Sequence, residues 1–450
     1  MSSFHSELLL LLNLISLVSG LQVETSPFSQ VPFLAVWNAP TATCLSKYGV
    51  DFNLETFNIA QNQNQTFMGE NITIFYADKL GLYPRYSTLG VPVNGGVPQN
   101  ASLDEHLREA SDDIRKFIPN RDFQGLAVVD WESWRPIWER NWDNKQVYWE
   151  ASRALVRSRH PDWNPQQIEA EARVRFEEAG RKFMEETLKL GREERPNGLW
   201  GFYGFPECYN YYNKSANFSG ECPAEEMKRN DELLWLWNSS SALYPDIYLS
   251  LELRGLSREV LFYTHHRIME AMRAGAQVTP SAPPVFPYAR IVYTYSFEFL
   301  SEEHLVYTIG ESAALGSAGV ILWGNRDYSR SQAACNAVKS YVEEILGPYV
   351  VNVTSAAALC SQMLCSSQGR CQRRDPNSGA YLHLDPAVWK VVSKREPDGR
   401  KSYKVLGQVM ANEVGQTLHF SILSSLHFFI LASRSVTPPW SRLPFPCCSV

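Results

Sequence analysis

Residues 125–136 read GLAVVDWESWRP, and this stretch decides how the chain folds. Leu126-Ala127-Val128-Val129 is an unbroken apolar run, the pattern of a strand covered on both faces, as in a parallel sheet. Asp130 and Glu132 follow, two residues apart. Side chains at i and i+2 of a strand share a face, and the rise per residue sets the pair about 6–7 Å apart at the backbone. Two acids crowded at the end of an apolar strand cannot both ionise cheaply, so one is expected to hold its proton near neutral pH. A retained proton beside a carboxylate is what glycosidic-bond cleavage requires. The bland alternative is a strand end whose acids cap the next helix or pair with Arg135, and the stretch alone leaves both readings open. Trp131, Trp134, Trp138 and Trp142 come next and would offer aromatic faces to sugar rings.

Further short apolar runs, at residues 33–37, 72–76, 199–203, 247–251, 285–293 and 319–323, also end in polar or aromatic residues. Helix candidates lie between them. The clearest opens at Asn164-Pro165, an N-cap followed by Pro at the first helical position. Its apolar face runs Ile168, Ala172, Phe176, Ala179, Phe183 and Leu190, and the charged opposite face reads as solvated surface. Strands alternating with helices point to a parallel α/β architecture. About seven strands with polar and aromatic residues at their C-terminal ends favour a TIM-like (β/α) barrel over an open sheet.

A chain of 450 residues can bury a large core. Its 44% hydrophobic content argues against disorder, and 12% aromatic content with 13 Trp favours ring-shaped ligands. A net charge of −6 argues against a broad nucleic-acid surface. A polyanionic substrate would need locally placed cations.

Residues 8–19, LLLLLNLISLVS, followed by Gly20, read as the core of a signal peptide spanning residues 1–20, with Glu7 in an unusual place for its flank and an uncleaved anchor as the alternative. Asn-X-Ser/Thr sequons begin at Asn64, Asn71, Asn100, Asn213, Asn217, Asn238 and Asn352. Seven sequons with a leader indicate the secretory pathway, and a secreted, lysosomal or cell-surface location. Nine cysteines then belong in an oxidising compartment; their odd number leaves at least one unpaired within the chain, with Cys447 and Cys448 the natural suspects. Composition changes after Val353. Residues 360–371, CSQMLCSSQGRC, look like the start of a small disulfide-stapled module; zinc is the alternative, but only His383 lies nearby. Residues 418–432 are apolar but too short and interrupted for a confident membrane span, and the ending TPPWSRLPFPCCSV does not look like a lipid-anchor signal.

The motifs together resemble the vertebrate hyaluronidases, glycoside hydrolase family 56. GLAVVDWESWRPIWERNW is similar to the family's central motif. It is joined, in the family's order, by NITIFYADKLGLYPRY (residues 71–86), GLWGFYGFPECYNY (198–211), ALYPDIYL (242–249) and GESAALGSAGVILWG (310–324). The resemblance covers roughly residues 30–390, and both sperm-surface and membrane-linked paralogues look similar. It implies an endo-β-N-acetylhexosaminidase cutting the β-1,4 bonds of hyaluronan, and chondroitin secondarily. Glu132 would be the acid/base, and the N-acetyl carbonyl of the sugar the nucleophile. Asp130 would stabilise the charge that develops on the N-acetyl group, with Glu132 neutral beside an ionised Asp130. Tyr203, Tyr248, Trp323, Tyr76 and Tyr288 would wall the cleft, each with ordinary packing as its plain alternative. Arg267, in HHRIMEAMR, would supply the cation for the substrate carboxylate; by spacing alone it is a solvated arginine near a helix start. His265 and His266 read as a surface pair.

The family pairing implies Cys44–Cys335, Cys208–Cys222 and Cys360–Cys371, the last opening an epidermal-growth-factor-like module. The downstream cysteines that would complete the module, including a partner for Cys365, are missing, and the resemblance ends near residue 395. The expected layout is therefore a catalytic barrel at 21–353, a partial module at 354–395 and an atypical tail at 396–450. No cofactor or metal is expected, and the protein should be a monomer whose membrane association stays open. The competing reading is a catalytically weak glycan-binding or gamete-adhesion protein on the same barrel.

Overall fold

The ring of strands at the centre of the fold comprises β1 (Leu34–Asn38), β2 (Ile59–Gln61), β3 (Ile72–Tyr76), β4 (Leu126–Asp130), β5 (Leu199–Phe202), β6 (Tyr288–Ala289) and β7 (Gly319–Trp323). The structure, a computed structural model, describes residues 31–395, 401–407 and 447–449. Parallel pairing runs β2-β1-β7-β6 along one arc and β3-β4-β5 along the other. Single parallel bridges through residues 243–250 join the arcs: Tyr203 to Tyr244 on one side, Asp246 to Tyr288 on the other. At the opposite seam a side chain stands in for the ladder. Buried Asn62 accepts from the Asn71 and Ile72 amides, each at 3.0 Å, and donates to the Ile72 carbonyl at 2.7 Å. Every residue of β1 and β4 is buried, because barrel strands have side chains inside and helices outside. That is the physical origin of the unbroken apolar runs.

Two runs read as strands contribute little regular ladder. Of 285–293 only Tyr288–Ala289 is a strand, and 247–251 makes only an isolated bridge at Ser250. Pro245, Pro283, Pro284 and Pro287 withhold the amide donors a continuous ladder needs. Conversely, the three-residue β2 has too short a pattern to be read from sequence.

The outer layer includes α1 (Leu103–Phe117), α2 (Pro165–Glu194), α3 (Ser257–Gly275), α4 (Gln332–Tyr341) and α5 (Gly347–Cys365). The expected start of α2 is realised as a capping box. The Gln167 amide donates to the Asn164 side chain at 2.9 Å, and the Asn164 amide donates to the Gln167 side chain at 3.1 Å. Ile168, Ala172, Phe176 and Phe183 are buried as expected. The stripe then includes Gly180, Met184, Leu188 and Gly191, leaving Ala179 and Leu190 half-buried, because a straight helix drifts against a fixed spacing. Gly191 is required there: a Cβ would lie 2.6 Å from the ring of buried Trp200.

The three expected disulfides are present, Cys44–Cys335, Cys208–Cys222 and Cys360–Cys371. The boundary expected at residue 353 is not a break. Helix α5 runs through it, and Val350, Val353, Ala357 and Cys360 share one core with β1 and β7, as do Leu382 and Leu384 beyond. The C-terminal segment is therefore built onto the barrel. It adds β8 (Gly369–Cys371), antiparallel to β11 (Cys447–Ser449), and a hairpin of β9 (Trp389–Arg395) and β10 (Lys401–Gly407). Cys365, expected to lack a partner, is disulfide-bonded. The leader, the stretch at 418–432 and the side chains of Cys447 and Cys448 lie outside the described residues. Among the described residues no helix is long and apolar enough to cross a membrane.

Candidate active site

The C-terminal ends of β4, β6 and β7 and the residue following β5 open into one cavity of about 620 Å³, lined among others by Asp130, Glu132, Tyr203, Tyr248, Tyr288 and Trp323. Asp130 is the last residue of β4 and is 9% exposed. Glu132 lies just past the strand end, its side chain 58% exposed and hydrogen-bonded to Asp130. Burial, and then the charge of Glu132, push the Asp130 carboxyl up to about 8, with Arg135 opposing. Burial therefore favours the protonated form of Asp130. The expected split was a neutral Glu132 beside an ionised Asp130, and the raised Asp130 carboxyl has a simple cause. The strand buries the first acid and releases the second to solvent. Arg135 approaches Glu132 at 3.9 Å, so one of the two acids does pair with it.

The aromatic wall assembles as a chain of ring contacts. Tyr203 meets Tyr288 edge-on at 5.0 Å and Tyr248 at 6.2 Å, and Tyr248 stacks on Trp323 at 6.0 Å. The Tyr203 and Tyr248 hydroxyls are hydrogen-bonded to each other. Trp323 donates its indole N–H to the Tyr76 hydroxyl at 3.1 Å, and Tyr76 sits in register with Asp130, bracing Trp323. Burial holds all these phenols above their ordinary pKa, so they enter the site as neutral groups.

Other expected residues go elsewhere. Trp131, Trp134 and Trp138 are core residues, packed under the barrel mouth against Tyr83 and Phe176; only Trp142 is exposed, beside Tyr209. Arg267 does not line the cavity. It lies inside α3, 2% exposed, tied to Glu207 at 2.7 Å, Asp246 at 2.9 Å and Asn210 at 2.9 Å. His265 is not a surface residue either: it is buried, 2.8 Å from Glu311, which Arg373 clamps from the C-terminal segment at 2.6 Å. Both corrections share a cause, since α3 is covered on more of its circumference than a surface helix would be.

The cations that do line the cavity are Arg290 and Arg330. A signal for Arg290 was available: it stands two residues after Tyr288, the same i, i+2 relation that links Asp130 to Glu132. Of the sequon asparagines, Asn64, Asn100, Asn213, Asn217 and Asn238 are exposed, whereas Asn71 and Asn352 are half-buried. The Asn71 side-chain amide donates to the Gln61 carbonyl at 2.6 Å within the β2–β3 seam.

The chain is 47% identical to hyaluronidase-1 of Sus scrofa over 390 residues, 87% of this chain and 88% of that one. It is 46% identical to hyaluronidase-4 of Homo sapiens over 391 residues, 86% of this chain and 81% of that one. Among solved structures, bee venom hyaluronidase in complex with a hyaluronic acid tetramer matches with a TM-score of 0.66 at 38% identity, covering 71% of this chain and 98% of the other. The family profile described as hyaluronidase matches residues 22–422. With that profile spanning most of the sequence, the chain belongs to the hyaluronidase family, glycoside hydrolase family 56.

Proposed function

We propose that the protein is a secretory-pathway endo-β-N-acetylhexosaminidase that cuts the β-1,4 bonds of hyaluronan, with chondroitin as a secondary substrate, and that it acts as a monomer. The observation that carries this reading is the proton-sharing pair Asp130–Glu132 at the floor of a cavity walled by Tyr203, Tyr248, Tyr288 and Trp323. A solvent-facing carboxyl is suited to a leaving group arriving from the cleft, so Glu132 protonates the glycosidic oxygen and later activates water. The N-acetyl carbonyl attacks its own anomeric carbon, and the charge that develops on nitrogen is met by Asp130. For this Asp130 must give up its proton to Glu132 when substrate covers the pair; the hydrogen bond between them supplies the route. Tyr203 and Tyr248 orient the reacting N-acetyl sugar against Trp323. Glycans are assigned to the exposed sequons, and not to Asn71, whose amide closes the barrel seam.

The test is secretion of the chain followed by hyaluronan depolymerisation at acidic and neutral pH, beside Glu132→Gln. The expected result is chain cleavage by the wild type, lost in the variant with folding intact. A folded product that binds hyaluronan but cleaves it at neither pH establishes the binding-protein alternative instead.

A further inference from the structure

The charged residues lining the cavity are Asp130, Glu132, Asp327, Arg290 and Arg330. The two acids beside the aromatic wall are hydrogen-bonded to each other, with Arg135 3.9 Å from Glu132, and a polyanionic chain entering the site must overcome the field of the pair. Arg290 is placed to offset it. Its guanidinium lies 5.1 Å over the Trp323 ring and 6.0 Å from the Tyr248 ring, and it is hydrogen-bonded to the Tyr328 hydroxyl. Among the described residues Arg290 makes no ion pair, in contrast to Arg135, Arg267 and Arg373, which all do. Its Nε is buried and has no hydrogen-bond partner among the described residues. A half-buried cation without a counter-ion is costly to fold around, and the cost is removed when an anion arrives. The planar fork of Arg matches a carboxylate in two-point contact, which an ammonium does not. Arg330 is fully at the surface over Phe297 and adds attraction without that geometry.

We infer that Arg290 is the specificity-determining residue for the carboxylate of the sugar chain, holding a uronate against the Trp323–Tyr248 wall; this rests on the polysaccharide reading above. The experiment compares native hyaluronan with carboxyl-reduced, neutral hyaluronan as substrates for wild type, Arg290→Gln and Arg290→Lys. A charge-assisted hydrogen bond of ordinary strength predicts that Arg290→Gln loses roughly 10- to 100-fold in kcat/KM on the native polymer, carried by KM. On the neutral polymer the variant should match wild type, so the preference for native substrate falls to near one. Arg290→Lys keeps the charge but not the fork and should retain an intermediate preference. Equal losses on both polymers, or an unchanged KM for native hyaluronan, overturn the inference. If Arg290→Gln is not secreted, Arg290→Lys carries the test: a KM as low as wild type on the native polymer overturns it. Wild-type inactivity on hyaluronan, by contrast, defeats the functional reading itself.

Discussion

Replacing Asp130 by Asn removes a charge that the folded state resists while keeping the shape of the side chain. Burial and the Glu132 charge raise this carboxyl from its usual 3.8 to about 8. A group whose pKa is higher in the folded than in the unfolded chain contributes stability that is complete below the unfolded value. That stability is lost as pH rises through the folded value. At about 1.36 kcal/mol per pH unit, the interval from 3.8 to about 8 corresponds to roughly 5–6 kcal/mol withheld above pH 8. Relaxation and water entry reduce such penalties, leaving an expected ~2–4 kcal/mol. Asn cannot ionise, so D130N should match wild type near pH 4 and exceed it by about that amount near pH 8. The assay is reversible urea unfolding of both proteins across this range, read as the difference in unfolding free energy. A difference that stays flat with pH would refute the buried-carboxyl argument, as would a variant less stable than wild type at pH 8. Activity should move the other way, with kcat down roughly 10²–10⁴-fold. The wild-type kcat/KM should also decline as pH rises through about 8, where the shared proton leaves.

Glu132→Gln should lose a similar factor in kcat, about 10²–10⁴, yet shift the thermal midpoint at acidic pH little because its side chain is mostly exposed. Arg267→Met should cost about 3 kcal/mol by leaving the largely covered carboxylates of Glu207 and Asp246 without their counter-ion. It is checked by thermal unfolding, and a selective rise in KM with normal stability would return Arg267 to the cleft. Gly191→Ala should cost about 1–3 kcal/mol because its Cβ meets Trp200; an unchanged midpoint would show that α2 can move off β5. Removing the Cys208–Cys222 bridge, which closes 14 residues, should cost about 3 kcal/mol, measured as the loss of unfolding free energy.

What was legible in the sequence was local. The run Leu126–Asp130 is buried at every position, so its apolar continuity identified a barrel strand, and the acids at its end are neighbours by chain geometry alone. The start of α2 was readable for the same reason, because a cap is made by residues three apart. The runs at 247–251 and 285–293, preceded or broken by prolines, read as strands because apolarity reports burial, whereas a ladder also needs amide donors.

The sequence by itself determined the strand ends, the acid pair and the identity of the aromatic residues that could face a sugar. Only the tertiary structure decided which charges meet. Arg267 and Arg290 each follow a recognisable apolar pattern, but one is closed in by Glu207 and Asp246 and the other lines the cleft with no ion pair among the described residues. The same holds within the acid pair: spacing put Asp130 and Glu132 together, and the deeper burial of Asp130 raises its carboxyl. Electrostatics depends on what surrounds a group from every direction, and a linear chain specifies that only after it has folded.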